Sequence, residues 1–115
     1  MITDIMSVAV PVGDAKKSAE WFREKLGFEV TVNNHWVTAK PRGSRTVLHL
    51  CEECKEWGGD TPGGQRGIAF SVDNVEKTYR QLKENGVQFS KALTKVPFGT
   101  YAIFKDLDGN EFWIW

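Results

Sequence analysis

One feature restricts the possible folds more than any other: the chain repeats itself. Val8-Ala9-Val10 and Ile68-Ala69-Phe70 are apolar triplets about sixty residues apart, and Phe22 and Leu82 stand at the same separation within two amphipathic segments. Each triplet precedes a helix signal and then three β-rich runs, which reads as two tandem βαβββ modules arising by internal duplication. A module with one helix covers one face of its sheet with that helix. The other face needs a second sheet or a ligand. The expected class is therefore α+β, with two curved mixed sheets enclosing a cleft and the helices on their outer faces. Residues opposite the helix side of each sheet become the functional candidates.

In the first module, residues 5–10 alternate as a strand, with Met6, Val8 and Val10 as the large, core-directed side chains. Asp14 suits an N-cap, Ala15, Ala19, Phe22 and Leu26 recur at helical spacing, and Gly27 suits the stop. Residues 28–32 and 35–40 read as a hairpin around Asn33-Asn34. A turn over residues 41–44 leads into a strand at 45–51, which would set His49 opposite Trp36. Periodicity stops over residues 52–66, where Gly58, Gly59, Pro62, Gly63 and Gly64 are concentrated. A linker at about 54–65 is expected there, between a first module of about residues 1–53 and a second of about 66–115.

In the second module, residues 67–72 read as a strand and Asp73 with Glu76 as a capping box. Val75, Tyr79 and Leu82 give the helix its buried face, and Gly86 closes it. Strands follow at 87–90, 101–105 and 111–115, while residues 91–99 show no clear pattern. Asp108-Gly109 is a tight-turn signal ahead of the terminal strand. On that strand Glu111, Trp113 and Trp115 alternate with Phe112 and Ile114, so both of its faces are largely apolar.

A length of 115 residues supports one domain with a sizeable core. Fifteen basic and fifteen acidic residues balance, and no Lys or Arg cluster is dense enough to track phosphates, which argues against nucleic acid as a partner. No stretch approaches a membrane span and the N-terminus lacks a signal-peptide pattern, so a cytoplasmic protein without a membrane partner is expected. Cys51 and Cys54 could form half of a zinc site or a redox pair. However, Glu52, Glu53 and Glu56 would raise the thiol pKa values, and no second pair of ligands accompanies them. A buried Cys51 and an exposed Cys54, neither with a role, are expected.

The matching residues together resemble the vicinal oxygen chelate superfamily, which contains glyoxalase I, bleomycin-resistance proteins and extradiol dioxygenases. In module one they are Val8-Ala9-Val10, Asp14 with Lys17, Trp21-Phe22 and Leu26-Gly27-Phe28. In module two they are Ile68-Ala69-Phe70, Val72-Asp73 and the run from Phe104 through Asp106-Leu107-Asp108-Gly109-Asn110. They span nearly the whole chain. The closing run is the most specific, with Leu107 where the family usually has proline. The resemblance implies a homodimer, sometimes with modules exchanged between chains. In metal-dependent members it also implies one divalent ion held by His, Gln or Glu from the first and last strands of the modules. Carried over position by position, those places are Ser7, His49, Gly67 and Trp113. One imidazole with a serine, a glycine and a tryptophan does not supply the three ligands of a catalytic site. The resemblance therefore implies a member without the family's metal cofactor.

The chain has five tryptophans. Trp21 is expected to pack on its helix face, and Trp57 falls in the linker. Trp36, Trp113 and Trp115 fall on the non-helix side of their strands. They either fill the space between the sheets, form a dimer interface, or present a platform for a planar or cationic ligand, worth roughly 1 to 2 kcal/mol per face. The small residues Ser7, Ala9, Gly67 and Ala69 would leave room for it. His49 is a hydrogen-bonding or acid–base candidate, or else a satisfied half-buried histidine. His35, beside the turn, is expected to be structural or exposed. The expected function is metal-free binding of an aromatic small molecule in the inter-module cleft, by Ser7, Trp36, His49, Gly67, Trp113 and Trp115. Balanced charge does not favour the cationic drug bleomycin itself. The alternative is a superfamily enzyme, a glyoxalase-like lyase or isomerase or a dioxygenase, with a divalent metal held by a set such as His49, Glu111 and a residue from the linker. A third possibility is a dimeric module without a small ligand.

Overall fold

Each half of the chain forms a four-stranded mixed sheet with one helix against it. The computed structural model describes residues 1–57 and 59–115. The units are Met1–Pro62 and Gly63–Trp115. The first holds β1 (Ser7–Pro11), α1 (Ala15–Leu26), β2 (Glu29–Val32), β3 (Val37–Lys40) and β4 (Val47–Cys51), in sheet order β1-β4-β3-β2. The second holds β5 (Gly64–Phe70), α2 (Val75–Glu84), β6 (Phe89–Val96), β7 (Gly99–Lys105) and β8 (Asn110–Ile114), in order β5-β8-β7-β6. In both, the first strand pairs parallel with the last and the remaining neighbours are antiparallel. The duplication read from the sequence is thus repeated in topology, and the α+β class of tandem βαβββ modules stands.

In the first unit, Asp14 caps α1 by accepting from the Lys17 N–H at 3.0 Å. Gly27, at φ 69°, takes the left-handed stop and donates to the Arg23 carbonyl. The Phe28 N–H returns to the Phe22 carbonyl while the two rings stack 5.6 Å apart, so polar and apolar closure coincide. Ala19 and Phe22 of α1 are buried, as are Val10, Ala39, Leu48 and Leu50 of the sheet. At about 25 cal/mol per Å² of apolar area removed from water, this is the unit's main driving force.

Several local expectations are corrected. β1 begins at Ser7 because its register is set by Ser7 opposite Val47, which leaves Met6 71% exposed and moves the core to Val10 and Val12. The β2–β3 loop spans residues 33–36, closed by the Val32–Val37 pair and an Asn33 N–H bond to the Trp36 carbonyl, so Trp36 is a loop residue. The stretch expected to be a bare linker contains a one-turn 3-10 helix, Cys54–Trp57, and β5 already begins at Gly64. Cys54 is buried because Gly59 folds over it. The Gly59 N–H reaches the Cys54 carbonyl at 2.8 Å, and a Cβ at Gly59 would lie 2.7 Å from both that oxygen and Sγ.

In the second unit the α2 cap is Asn74, which accepts from the Lys77 N–H at 2.9 Å, and the Asp73–Glu76 capping box does not form. Adjacent Asp and Asn are both good caps, and only the helix start at Val75 decides between them. Residues 91–99, unreadable in sequence, extend β6 to Val96 and turn through Pro97-Phe98 into Gly99. Register irregularities on either side of Lys91 break the two-residue alternation there. Five rings form the core, one from the helix and one from each strand in sheet order. They are Tyr79, Phe89, Phe104, Phe112 and Phe70, with successive centroids 4.5 to 6.2 Å apart. Among the described residues no helix is long and apolar enough to cross a membrane.

Candidate ligand-binding faces

The turn before β8 explains why that strand is held so firmly. Asp106 Oδ1 accepts from the backbone N–H groups of Asp108 and Asn110, each at 2.9 Å. Asp106 Oδ2 accepts from Asn110 Nδ2 at 2.9 Å. Asn110 Oδ1 in turn accepts from the Gly63 N–H at 2.9 Å, tying the turn to the start of β5, and Gly109 at φ 80° completes the reversal. Burial pushes the Asp106 carboxyl above its ordinary range, while the hydrogen bonds from Asn110 and Asp108 pull it back. The specific Asp-x-Asp-Gly-Asn run is therefore a structural clamp rather than a reactive group.

The clamp fixes which way β8 faces. Phe112 and Ile114 enter the core, so Trp113 and Trp115 emerge on the opposite side. Their rings lie 5.9 Å apart and within 2° of parallel. Tyr101, from the neighbouring β7, sits 4.9 Å from Trp113 and 5.0 Å from Trp115. Phe98, at the β6–β7 turn, stacks on Trp115 at 5.7 Å. The indole of Trp113 is oriented by its Nε1–H, which donates to Gln65 Oε1 at 2.8 Å. Gln65 reaches it because β5 bulges between Gln65 and Ala69, with Gly67 at φ 70° absorbing the kink. Ala69 lies directly beside Trp113, so small residues flank the ring row on that edge.

In the first unit, His49 emerges from β4 opposite the Leu48 and Leu50 side, between Ala9 of β1 and Thr38 of β3. The predicted His49–Trp36 cross-strand pair is corrected by two residues, since the β3–β4 connection is longer than a four-residue turn. A two-residue slip keeps every side chain on its face, so Trp36 still reaches His49 and stacks on it at 4.4 Å and 26°. Removal from water holds the His49 pKa below its ordinary value, favouring the neutral ring. Among the described residues neither ring nitrogen has a hydrogen-bond partner. A neutral imidazole can offer one donor and one acceptor. Ser7 lies on the same face beside Val47.

The structure thus brings Trp36 to His49, and Trp113 to Trp115, and sets Gly67 in the bulge that supports Trp113. Three contributors escaped the sequence reading: Tyr101, Phe98 and Gln65. Tyr101 was detectable in principle, because β7 pairs with β8 and alternation puts it on the tryptophan face. The other two depend on an irregular turn and a bulge.

The chemistry of the four metal positions does not fit a catalytic ion. Gly67 has no donor, Trp113 directs an N–H toward Gln65, and Ser7 offers only a weak hydroxyl beside the one imidazole of His49. Among the described residues no group of three or more His, Cys, Asp or Glu side chains is gathered to hold one.

A family model, the Glyoxalase/Bleomycin resistance protein/Dioxygenase superfamily, matches residues 4–114. The protein YetH of Bacillus subtilis (strain 168), itself uncharacterised, is 31% identical over 118 aligned residues covering 97% of each chain. Among solved structures, a member of the superfamily from Sphaerobacter thermophilus DSM 20745 superposes with a TM-score of 0.89 at 31% identity, over 98% of this chain and 96% of that one. TnmS3 from Streptomyces sp. CB03234, described as an antibiotic binding protein, gives a TM-score of 0.85 at 29% identity, over 98% and 94%. The repeated topology, the Asp-x-Asp-Gly-Asn clamp and these likenesses agree, and the chain belongs to the glyoxalase/bleomycin resistance protein/dioxygenase superfamily.

Proposed function

We propose that the protein binds a planar aromatic small molecule without a metal ion, working as a homodimer in the cytoplasm. One observation carries this reading: the half-buried row Trp113, Tyr101 and Trp115 on the side of the sheet away from its phenylalanine core. A sheet that already has a complete core on one face has no folding requirement for three large rings on the other. Near-parallel indoles offer flat faces to a flat ligand, at roughly 0.5–1.5 kcal/mol per aromatic pair beyond area burial. The first unit has an aromatic face of its own, where Trp36 stacks on His49 and the neutral imidazole offers a polar group to a ligand. That the similar TnmS3 is described as an antibiotic binding protein supports small-molecule binding. Two free, buried cysteines suit a reducing compartment.

The test is a tryptophan fluorescence titration with a panel of polycyclic aromatics, repeated with Trp113→Phe and Trp115→Phe. Saturable quenching, weakened about fivefold or more in either variant, is the expected result. A panel that leaves the emission unchanged removes the proposal. Loss of dimer on Trp115→Ala in sedimentation, with no ligand found, would assign the rings to an interface instead.

A further inference from the structure

Trp115 borders more than the aromatic row. It also lines an open recess of about 600 Å³, together with Phe98, Lys95 and Thr100 from β6, β7 and their turn and Asn74 and Glu76 at the start of α2. Its size falls within the range of small-molecule sites. The aromatic wall is made by Trp115 and Phe98, stacked at 28°. Gly99, at φ 151°, takes a backbone conformation that favours glycine and runs against the edge of the Trp115 ring. Lys95 and Thr100 are cross-strand partners on β6 and β7, so an ammonium and a hydroxyl sit side by side at the rim.

The charges in the recess are not equivalent. Glu76 is held by Arg80 at 2.5 Å, one helical turn away. The Asn74 side chain is occupied by the Lys77 N–H. Lys95 has no ion-pair partner among the described residues, which leaves its ammonium as the available charge beside the two rings. We infer that this recess is a subsite for the acidic end of the ligand, so that the bound compound is a planar aromatic acid whose carboxylate or phenolate meets Lys95 and Thr100. The inference rests on the proposed aromatic binding and adds the ligand's charge to it. An ion pair at a half-open site gains little by itself. Next to a stacked ring the carboxylate is already positioned, and less freedom is lost in forming the contact.

The experiment compares three probes of one ring system: 2-naphthoate, 2-naphthalenemethanol and 2-naphthylmethylammonium. Each is titrated against the intact chain and against Lys95→Gln and Lys95→Arg. The naphthoate is expected to bind about fivefold more tightly than the alcohol. That ratio falls to about one in Lys95→Gln, survives in Lys95→Arg, and declines with added salt. Equal binding of acid and alcohol, or preference for the ammonium, overturns the subsite while leaving aromatic binding intact. Failure of all three to bind overturns both readings.

Discussion

Replacing Asn110 by alanine would test how β8 is positioned. The side chain is fully buried and makes two bonds: Nδ2 to the Asp106 carboxylate, which is buried, and Oδ1 from the part-buried Gly63 N–H, both at 2.9 Å. Losing a bond to a charged group costs about 1.5–3 kcal/mol, and losing the bond to the part-buried Gly63 N–H costs about 0.5–1.5 kcal/mol. Together they predict a loss of about 2–4.5 kcal/mol, a large share of a typical domain stability of about 5–15 kcal/mol. With an m-value of about 2 kcal/mol/M, the urea midpoint falls by about 1–2 M. The loss also depends on pH. Burial already raises the Asp106 pKa, and removing the Asn110 donor raises it further. A carboxyl whose folded pKa lies above its unfolded value is most favourable when protonated, and its contribution is lost as pH rises through the folded pKa. The difference between wild type and Asn110→Ala is therefore largest near neutrality and narrows as pH falls toward about 4. Urea melts of both proteins across that range decide the matter. A loss below about 1 kcal/mol, or one constant with pH, refutes the clamp as described.

Ser18 lies on the buried face of α1 with its hydroxyl unpartnered, so Ser18→Ala should raise stability by about 1 kcal/mol, read as a higher urea midpoint. His49 has a lowered pKa in the fold, so its unfolded form binds the proton more readily. Its contribution is present above the unfolded value of about 6.5 and is lost as pH falls through the lower folded pKa. Thermal melts of wild type and His49→Gln should diverge over that window. Gln65→Ala removes the acceptor shared by the Trp113 indole and the Gly67 N–H, at about 1 kcal/mol for each bond. Aromatic ligands should then bind more weakly and the Trp113 emission should shift, as fluorescence titration would show.

How much was legible in the sequence follows from the distance over which each feature is decided. Helix α1 was readable to its caps because Asp14, the spacing of Ala15, Ala19 and Phe22, and Gly27 all act within one or two turns. The alternation of β8 was readable because a period of two needs no partner. The cap of α2 lies one residue beyond the expected one, because Asp73 and Asn74 are both good caps and only the helix start at Val75 selects between them. The β3–β4 register, the reach of β6 and the bulge in β5 are properties of pairs of strands. No single segment states them, and each was missed or misread. The candidate site follows the same division. Trp113, Trp115 and His49 come from face parity. Tyr101 follows from alternation only once β7 is paired with β8, and Gln65 and Phe98 come from a bulge and a turn, which alternation cannot supply.

That division bears on how the aromatic row should be read. Phe112 and Trp113 are neighbours in one strand, held by one clamp, yet they meet different conditions. Phe112 is fully buried among Phe70 and Phe104, and its place is determined by volume. Trp113 stays half-exposed, with its polar edge fixed by Gln65 and its face set against Tyr101. A packed indole also needs a partner for its N–H, which Gln65 supplies here, so the bond satisfies the polar edge and at the same time fixes the plane of the ring. Fixing the edge while leaving the face accessible orients the ring toward something outside its own sheet. Pre-ordering of this kind lowers the entropy lost when a flat molecule stacks there. Under the proposed binding, the Gln65 bond is what would hold the Trp113 face ready for a flat ligand, and Gln65→Ala tests that role directly.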